Sequence, residues 1–442
     1  MIIRYTISTC ILLFYAFFNG YPLLFIGDSF GYYHYGRYFD HDTGAHSFIY
    51  GLFVALCSLH KSFWIVAITQ CWLTSVILYH TAALFLNKKN ITGVYYLIII
   101  VLALFTSLTK YTGKIMPDLY TGLIPCCIFL LFYGNYNKYI KAALYILVII
   151  FISFHNSFVF VCACSFGLYI IYMFRNDKLK QARYYLWILV SLPILSAVIT
   201  ITTHFVFFSK PYFNKVSHIY LLAKLSDMGI LKKYLDENCD IKPNLLCKYN
   251  QGYLLFNDFM YNSATSPTHR EYGYYSAQAV ELSREPYTHI INDILSQPKY
   301  LSLFIFKGLS GTVKLLADFS NYEQSGDIMS WHFDTYLPNE KIFYVHSKQY
   351  HDKLKPLETF TGTTEFILVS MSILYMIYIT QVLKIRVDQT CTAFIILISC
   401  TVISNALVCG TLAELVGRFS QRLIWLIPYA GMLFVAKYYS IK

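Results

Sequence analysis

The stretch Gly27–Tyr38, GDSFGYYHYGRY, sets an aspartate, an arginine, a histidine and four tyrosines directly behind the apolar run Ile2–Phe25. A run of that length can cross about 30 Å of hydrocarbon as a helix. Polar and ionisable groups crowded immediately after such a run mark residues 27–45 as a first loop on the far side of a membrane. They make Asp28 the first candidate for chemistry. Arg4 heads the run and no small-residue cleavage site follows it, so it reads as a retained helix and not as a cleaved signal peptide.

The whole chain supports that membrane reading. With 442 residues, 57% hydrophobic and only 13% charged, it is excluded from the ordinary water-soluble globules. An aromatic share of 18% suits belts at the two membrane interfaces. The apolar runs are continuous where barrel strands would alternate. The formal net charge of +11 falls largely in short loops between these runs, where it reports topology and not nucleic-acid binding. The expected fold is an all-α polytopic membrane protein of roughly ten transmembrane helices with a mixed, mainly helical exported domain.

Residues 63–86, 91–108 and 119–133 read as further spans, while 46–60 is apolar but interrupted, suited to an interfacial or partly inserted segment. Residues 142–174 are too long for one crossing, and SFHNS around His155 divides them into two helices. Residues 184–208 complete an N-terminal transmembrane module, 1–208. The only long hydrophilic stretch, 209–363, forms an exported domain with helical patterns at 215–235 and 277–295. A C-terminal module, 364–442, supplies spans at 365–382, 391–412 and 423–436. Residues 298–319 read as an interfacial amphipathic helix, because a crossing there would invert everything after it and export Lys384 and Arg386.

Charge in the short loops tests the layout. One side carries Arg4, Lys88, Lys89, Lys138, Lys141, Arg175, Lys178, Lys180, Arg183, Lys384, Arg386, Lys437 and Lys442; the other carries Arg37, Lys61, Lys110, Lys114, Arg418 and Arg422. The richer side is cytoplasmic. Both termini are therefore expected inside, with Asp28, Asp118, His155 and the long domain outside. A bacterial inner membrane, with that domain periplasmic, is the preferred compartment. Ten of the twelve cysteines lie in or beside apolar runs and behave as small hydrophobes. Cys239 and Cys247, in DENCDIKPNLLCKY, are candidates for a disulfide in an oxidising compartment, with two unpaired thiols as the alternative. No histidine pair stands near them, which argues against zinc.

The exported side collects Asp28 with Tyr32, Tyr33, His34 and Arg37; Lys114 and Asp118 in KIMPD; His155; and Arg418 with Arg422. Two acids in short exported loops fit a catalytic site, while the competing role for each is to cap the helix that follows. Spacing balances the two roles at Asp28 and favours the cap at Asp118. His155 fits a satisfied polar residue at a tight turn better than a base. Arg418 and Arg422, spaced i, i+4, share a face if helical and can clamp phosphate or anchor at the interface.

An acid in GDSFGYY just after the first helix, a second in MPDLY before a later helix, and a large exported domain between later helices together resemble the GT-C superfamily of integral-membrane glycosyltransferases. The resemblance implies transfer of a sugar from a polyprenyl-phosphate donor to a lipid, glycan or protein acceptor on the exported face. Asp28 would be the general base, and one-step displacement would invert the anomeric centre. Arg418 and Arg422 would steady the departing phosphate. Asp118 would orient the acceptor or Lys114, and Tyr32, Tyr33 and His34 would line the sugar pocket. Several branches pair two acids in the first loop. Here Ser29 follows Asp28 and the next acids are Asp40 and Asp42, so a divalent metal has no support from the sequence.

Two other classes compete. A polytopic transporter or flippase of lipid-linked substrates would place ionisable groups near mid-membrane, often in repeated halves, and no repeat is visible. Another lipid-linked transferase, such as a polysaccharide ligase or acyltransferase, would share the topology but not the donor.

Overall fold

A computed structural model describes residues 2–39, 46–86, 90–175, 179–250, 254–273, 276–320, 325–327, 329–384 and 387–439. Asp40, Asp42, Lys88, Lys89, Lys178, Arg386 and Lys442 lie outside the described residues, as does the Lys180 side chain. Among the described residues no strand forms, and the fold is helical throughout.

The first apolar run is broken into α1 (Ile2–Leu12) and α2 (Phe14–Asn19), and then leaves helix at Gly20. The stretch expected as an irregular loop is itself a helix, α3 (Ile26–Tyr38), and it packs on the short α4 (Phe48–Cys57). The N-terminal module continues with α5 (Phe63–Ala82), α6 (Ile91–Phe105), α7 (Leu108–Thr112), α8 (Asp118–Tyr133), α9 (Lys138–Ser153), α10 (Asn156–Arg175) and α11 (Leu179–Phe208). The break between α9 and α10 falls at His155, as the sequence predicts.

The segment after α11 has its own core. It is built on α12 (Ser217–Asp227), α13 (Ile230–Asn238), α14 (Phe256–Met260), α15 (Pro267–Tyr272) and α16 (Ala277–Leu295), with Ile219, Leu222, Phe259 and Tyr287 buried together. Cys239 and Cys247 are joined in a disulfide at the end of α13. The next helix, α17 (Pro298–Leu316), lies along a later span with Gly311 and Thr312 against Gly410. Its outward face carries Ile305, Phe306, Leu309 and Val313.

Residues after α17 join the transmembrane core instead. Phe333 of α18 (Ser330–Tyr336) and Tyr344 of α19 (Lys341–Val345) are buried in the same cluster as the membrane helices. Between them Glu340, also buried, accepts hydrogen bonds from Tyr21 Oη at 2.5 Å, the Phe63 backbone N–H at 3.0 Å and Ser62 Oγ. A carboxylate at the N-terminus of α5 meets the unpaired amides and positive end of the helix dipole. The chain closes with α20 (Lys355–Ile377), α21 (Gln389–Leu412), α22 (Arg418–Ile424) and α23 (Leu426–Tyr439).

Six helical segments are long and apolar enough to cross a membrane: Phe63–Ala82, Asn156–Arg175, Tyr185–Phe208, Lys355–Val382, Gln389–Leu412 and Arg418–Tyr438. Shorter apolar helices are Ile2–Leu12, Phe48–Cys57, Ile91–Phe105 and Asp118–Tyr133.

The α3–α4 contact depends on two glycines. A Cβ on Gly36 would stand 2.0 Å from the Gly51 carbonyl oxygen, so the two backbones touch with no side chain between them. Gly36→Ala is expected to lower stability by about 1–3 kcal/mol through overpacking, in spite of the better helix propensity of alanine. Thermal unfolding in detergent measures it, and an unchanged melting temperature would show that the helices separate without loss.

Candidate functional site

The site is assembled first from backbone. Between α2 and α3 the chain is extended, and Leu23 is held on one side by the 113–115 turn. The Leu23 N–H donates to Gly113 O at 2.9 Å, and the Ile115 N–H donates to Leu23 O at 2.9 Å. On the other side Gln349 clasps Leu24: the Leu24 N–H donates to Gln349 Oε1 at 3.1 Å and Gln349 Nε2 donates to Leu24 O at 2.6 Å. Ser29, buried beside Asp28, donates to Ile115 O at 2.9 Å and accepts from the Phe25 N–H at 2.9 Å. The position at which related patterns carry a second acid is thus a staple between α3 and the loop before Asp118.

A helix at 26–38 divides the polar stretch by face, since residues three and four apart are neighbours and consecutive ones are not. Asp28 and Tyr32 look one way. His46 Nε2 lies 3.3 Å from Asp28 Oδ1, and the Tyr32 ring meets His46 and Tyr50 edge-on at 4.8 and 4.9 Å. A Cβ on Gly31 would come within 2.7 Å of the His46 ring, so glycine is what lets His46 reach Asp28. Tyr33, His34 and Arg37 look elsewhere, which takes Tyr33 and His34 away from the pocket wall expected of them and Arg37 away from Asp28. Arg37 Nη1 donates to Tyr33 Oη at 2.6 Å, the Tyr33 ring packs on Phe63, and His34 Nδ1 lies 2.7 Å from Tyr336 Oη.

The second acid does not act as a helix cap. Asp118 opens α8, but its carboxylate accepts from Arg422 Nη1 at 3.1 Å and lies 3.8 Å from Arg418 Nε. Arg422 is entirely buried and uses its other donors on Asn405 Oδ1 at 3.2 and 2.6 Å and on Cys409 Sγ at 3.3 Å. Arg418 is partly open, its guanidinium 4.0 Å from the Phe25 ring centroid. Lys114 is buried, with Nζ 4.6 Å from the same ring. Arg418, Arg422, Lys114 and His155 all act on Asp118 and favour its charge. His46, Arg418 and Asp118 act on Asp28. The start of α3, the start of α8 and α22 therefore meet in one place.

Burial opposes charge on Asp28, but the hydrogen bond and electrostatic influence of His46, aided by Arg418, outweigh it and hold the carboxyl below its ordinary value. His155 is pushed down to about 4 by burial and by the cation of Arg422, and is neutral at pH 7. Its Nδ1 accepts from the Ser157 N–H at 3.2 Å and lies 2.7 Å from Ser157 Oγ, so it caps α10, as expected of a satisfied polar residue.

Groups not singled out in the sequence complete the site. His46 begins an apolar segment, and Asn405 stands in the middle of a span. Tyr220 of α12 is coupled electrostatically to Asp28 and Arg418 and brings α12 beside the cluster. Glu414 lies at the rim, accepting from Asn257 Nδ2 at 2.6 Å. A histidine flanked by glycine, alanine and serine, as in GAHSF, was the available signal for His46. Among the described residues no three His, Cys, Asp or Glu side chains are grouped to hold a metal ion.

No family model matches the chain, and neither a curated protein nor a solved structure gives a significant match.

Removing the charge of Arg422 leaves Asp118 buried without its main partner. Arg422→Gln is expected to cost about 3–5 kcal/mol, more than Arg418→Gln, whose contact with Asp118 is the longer one at 3.8 Å. Equal melting temperatures for the two variants would assign Arg422 to ligand binding instead. For His155, the folded form binds its proton at about 4 and the unfolded form near 6.5. Its contribution to stability is full above 6.5 and is lost as pH falls toward 4. His155→Gln should flatten that part of the stability–pH curve, and an unchanged slope would mean the ring is solvated.

Proposed function

We propose that this chain is a GT-C-like membrane glycosyltransferase. It moves a sugar from a polyprenyl-phosphate donor to a lipid, glycan or protein acceptor, with Asp28 as general base. One observation carries the reading. A half-open carboxylate held in its ionised form stands beside the cations Lys114, Arg418 and Arg422, with Asp118 bonded to Arg422 and Glu414 at the rim. Cations gathered in a partly dehydrated site favour an anionic substrate group, and phosphate is the anion a lipid-linked sugar carries.

In this scheme Asp28 accepts the proton of an acceptor hydroxyl while that oxygen bonds to the anomeric carbon. The bond from that carbon to the donor phosphate oxygen breaks, and the phosphate leaves with the electron pair. Its charge is met by Arg418 and Lys114, while Arg422, committed to Asp118 and Asn405, is a positioning residue. His46 orients Asp28, and Tyr32 borders the sugar. Attack from the face opposite the phosphate inverts the anomeric centre. The ten-span layout goes with this reading. It adds the α1–α2 pair, α6, α8 and α9 to the six longer segments, and leaves both termini in the cytoplasm and the site on the periplasmic face of a bacterial inner membrane.

One observation favours the transporter reading. Glu365 is fully buried within the Lys355–Val382 span, where an ionisable group marks a functional site by default. Its Oε1 accepts from the Ser107 N–H at 3.2 Å, and Ser107 Oγ lies within hydrogen-bond distance of both Glu365 Oε1, at 2.9 Å, and the Gln421 carbonyl, at 2.8 Å. These bonds also give it a structural task in supporting α22. Purified protein incubated with radiolabelled polyprenyl-phosphate sugars separates the classes: transferred label supports the enzyme, and substrate-dependent flux without product the transporter.

Asp28→Asn keeps the size and removes the base, so transfer should fall about 10²- to 10⁴-fold with the melting temperature retained. Normal transfer by the folded variant would defeat the assignment. Because His46 and Arg418 hold the Asp28 carboxyl below its ordinary value, the acid limb of the rate should lie below the usual carboxylate range. Arg418→Gln should weaken donor binding by about tenfold, the loss of one charge-assisted bond. Unchanged donor affinity would return Arg418 to the role of an anchor.

A further inference from the structure

Outside the charged cluster, the flank between α1–α2 and α6 carries a groove of about 500 Å³ lined by apolar residues and one cysteine. Ile11, Phe14, Phe17 and Phe18 form one wall; Ile100 and Leu104, one turn apart, form the other. Phe17 and Ile100 are also exposed on the surface, 57% and 40% open, as residues facing hydrocarbon would be. From Cys10 at one end to Phe18 at the other the wall runs about 12 Å at 1.5 Å per helical residue. One leaflet of the hydrocarbon core is about 15 Å deep.

The end nearest α3 is cationic. Lys348 Nζ lies 3.3 Å from the centroid of the Phe18 ring that lines the groove. The Lys353 N–H donates to Lys348 O at 2.9 Å, which folds a second lysine into the same turn, while Lys355 is paired with Asp352 at 2.8 Å. That turn is fixed to the end of α2, where the Lys348 N–H donates to Asn19 O at 2.9 Å and the Gln349 N–H to Asn19 Oδ1 at 2.7 Å. An apolar slot about one leaflet deep, with Lys348 over the Phe18 ring at its end and Lys353 on the same fixed turn, has the shape and charge to take an amphiphile with an anionic head.

We propose that this groove holds one acyl chain of an anionic phospholipid from the leaflet on the Asp28 side, with the lipid phosphate at Lys348 and Lys353. A bilayer phospholipid fits better than a long isoprenoid, because the slot matches the depth of one leaflet and ends there. The site does not depend on the enzymatic reading. Its position does bear on Asp28, since the residue after Lys348, Gln349, clasps the Leu24 backbone that leads into α3.

The test uses the full chain, purified and delipidated in detergent, with native mass spectrometry counting retained lipid. Palmitoyl-oleoyl phosphatidylglycerol should bind one per chain and be retained over phosphatidylcholine of the same chains. Lys348→Gln and Lys353→Gln should each weaken the phosphatidylglycerol complex about fivefold, the worth of one lysine at an anionic headgroup, and leave phosphatidylcholine unaffected. Leu104→Trp, which fills the slot from the bilayer side, should weaken both lipids; the lysine variants are surface changes and keep the test readable if it fails to fold. Equal retention of the two lipids, or phosphatidylglycerol binding untouched by the lysine variants, would overturn the proposal. Glycerol phosphate binding as tightly as the lipid would reduce the site to a phosphate site. A polyprenyl phosphate that displaces phosphatidylglycerol at equal concentration would give the groove to the isoprenoid.

Discussion

Burying an arginine without solvent requires that every donor be used, and Arg422 sets that requirement for three helices at once. Its guanidinium bonds Asp118 at the start of α8, Asn405 and Cys409 on α21, and is itself carried by α22. Separating any of these helices would expose a charge to hydrocarbon, at a cost larger than that of an ordinary packing defect. The same constraint sets Arg418, one turn earlier on the same helix, at the open edge of the cluster. It also holds the 113–117 loop, and with it the turn that pairs with Leu23.

From that anchor the geometry passes to Asp28 through backbone. Leu23 pairs with Gly113 and Ile115, Ser29 bonds the Ile115 carbonyl, and Gln349 clasps Leu24 from the far side. The first acid is thus placed by contacts on both sides of the preceding linker, and His46 then determines the direction of its carboxylate. The segment beyond α17 is part of this device: Glu340 reaches Tyr21 and the start of α5, so residues grouped with the exported domain by hydropathy belong to the transmembrane core.

How legible each part was follows from the range of the interaction behind it. The split at His155 and the bond between Cys239 and Cys247 depend on neighbours within about a dozen residues, and both appear in the sequence pattern. Treating 27–45 as loop made Tyr32, Tyr33 and His34 equivalent. Once 26–38 is a helix, they face different partners, and only Tyr32 stays beside Asp28. Asp118 looked like a cap because an acid before an apolar run commonly is one; its partner, Arg422, is 304 residues away. His46 had only its small neighbours as a signal, and nothing local distinguishes Glu340 or Gln349 from any other polar residue in a hydrophilic stretch.

By itself the sequence determined a helical chain with runs apolar enough to cross a membrane, and it set Asp28, Asp118, Arg418 and Arg422 in the polar stretches between those runs. Hydropathy and charge act residue by residue along the chain, so they can be read in one dimension. Which side chains meet was decided only by tertiary structure. The face of α3 that carries Asp28, the commitment of Arg422 to Asp118 and the clasp on Leu24 each depend on elements brought together from far apart, where a rotation of one helical residue would exchange one set of partners for another.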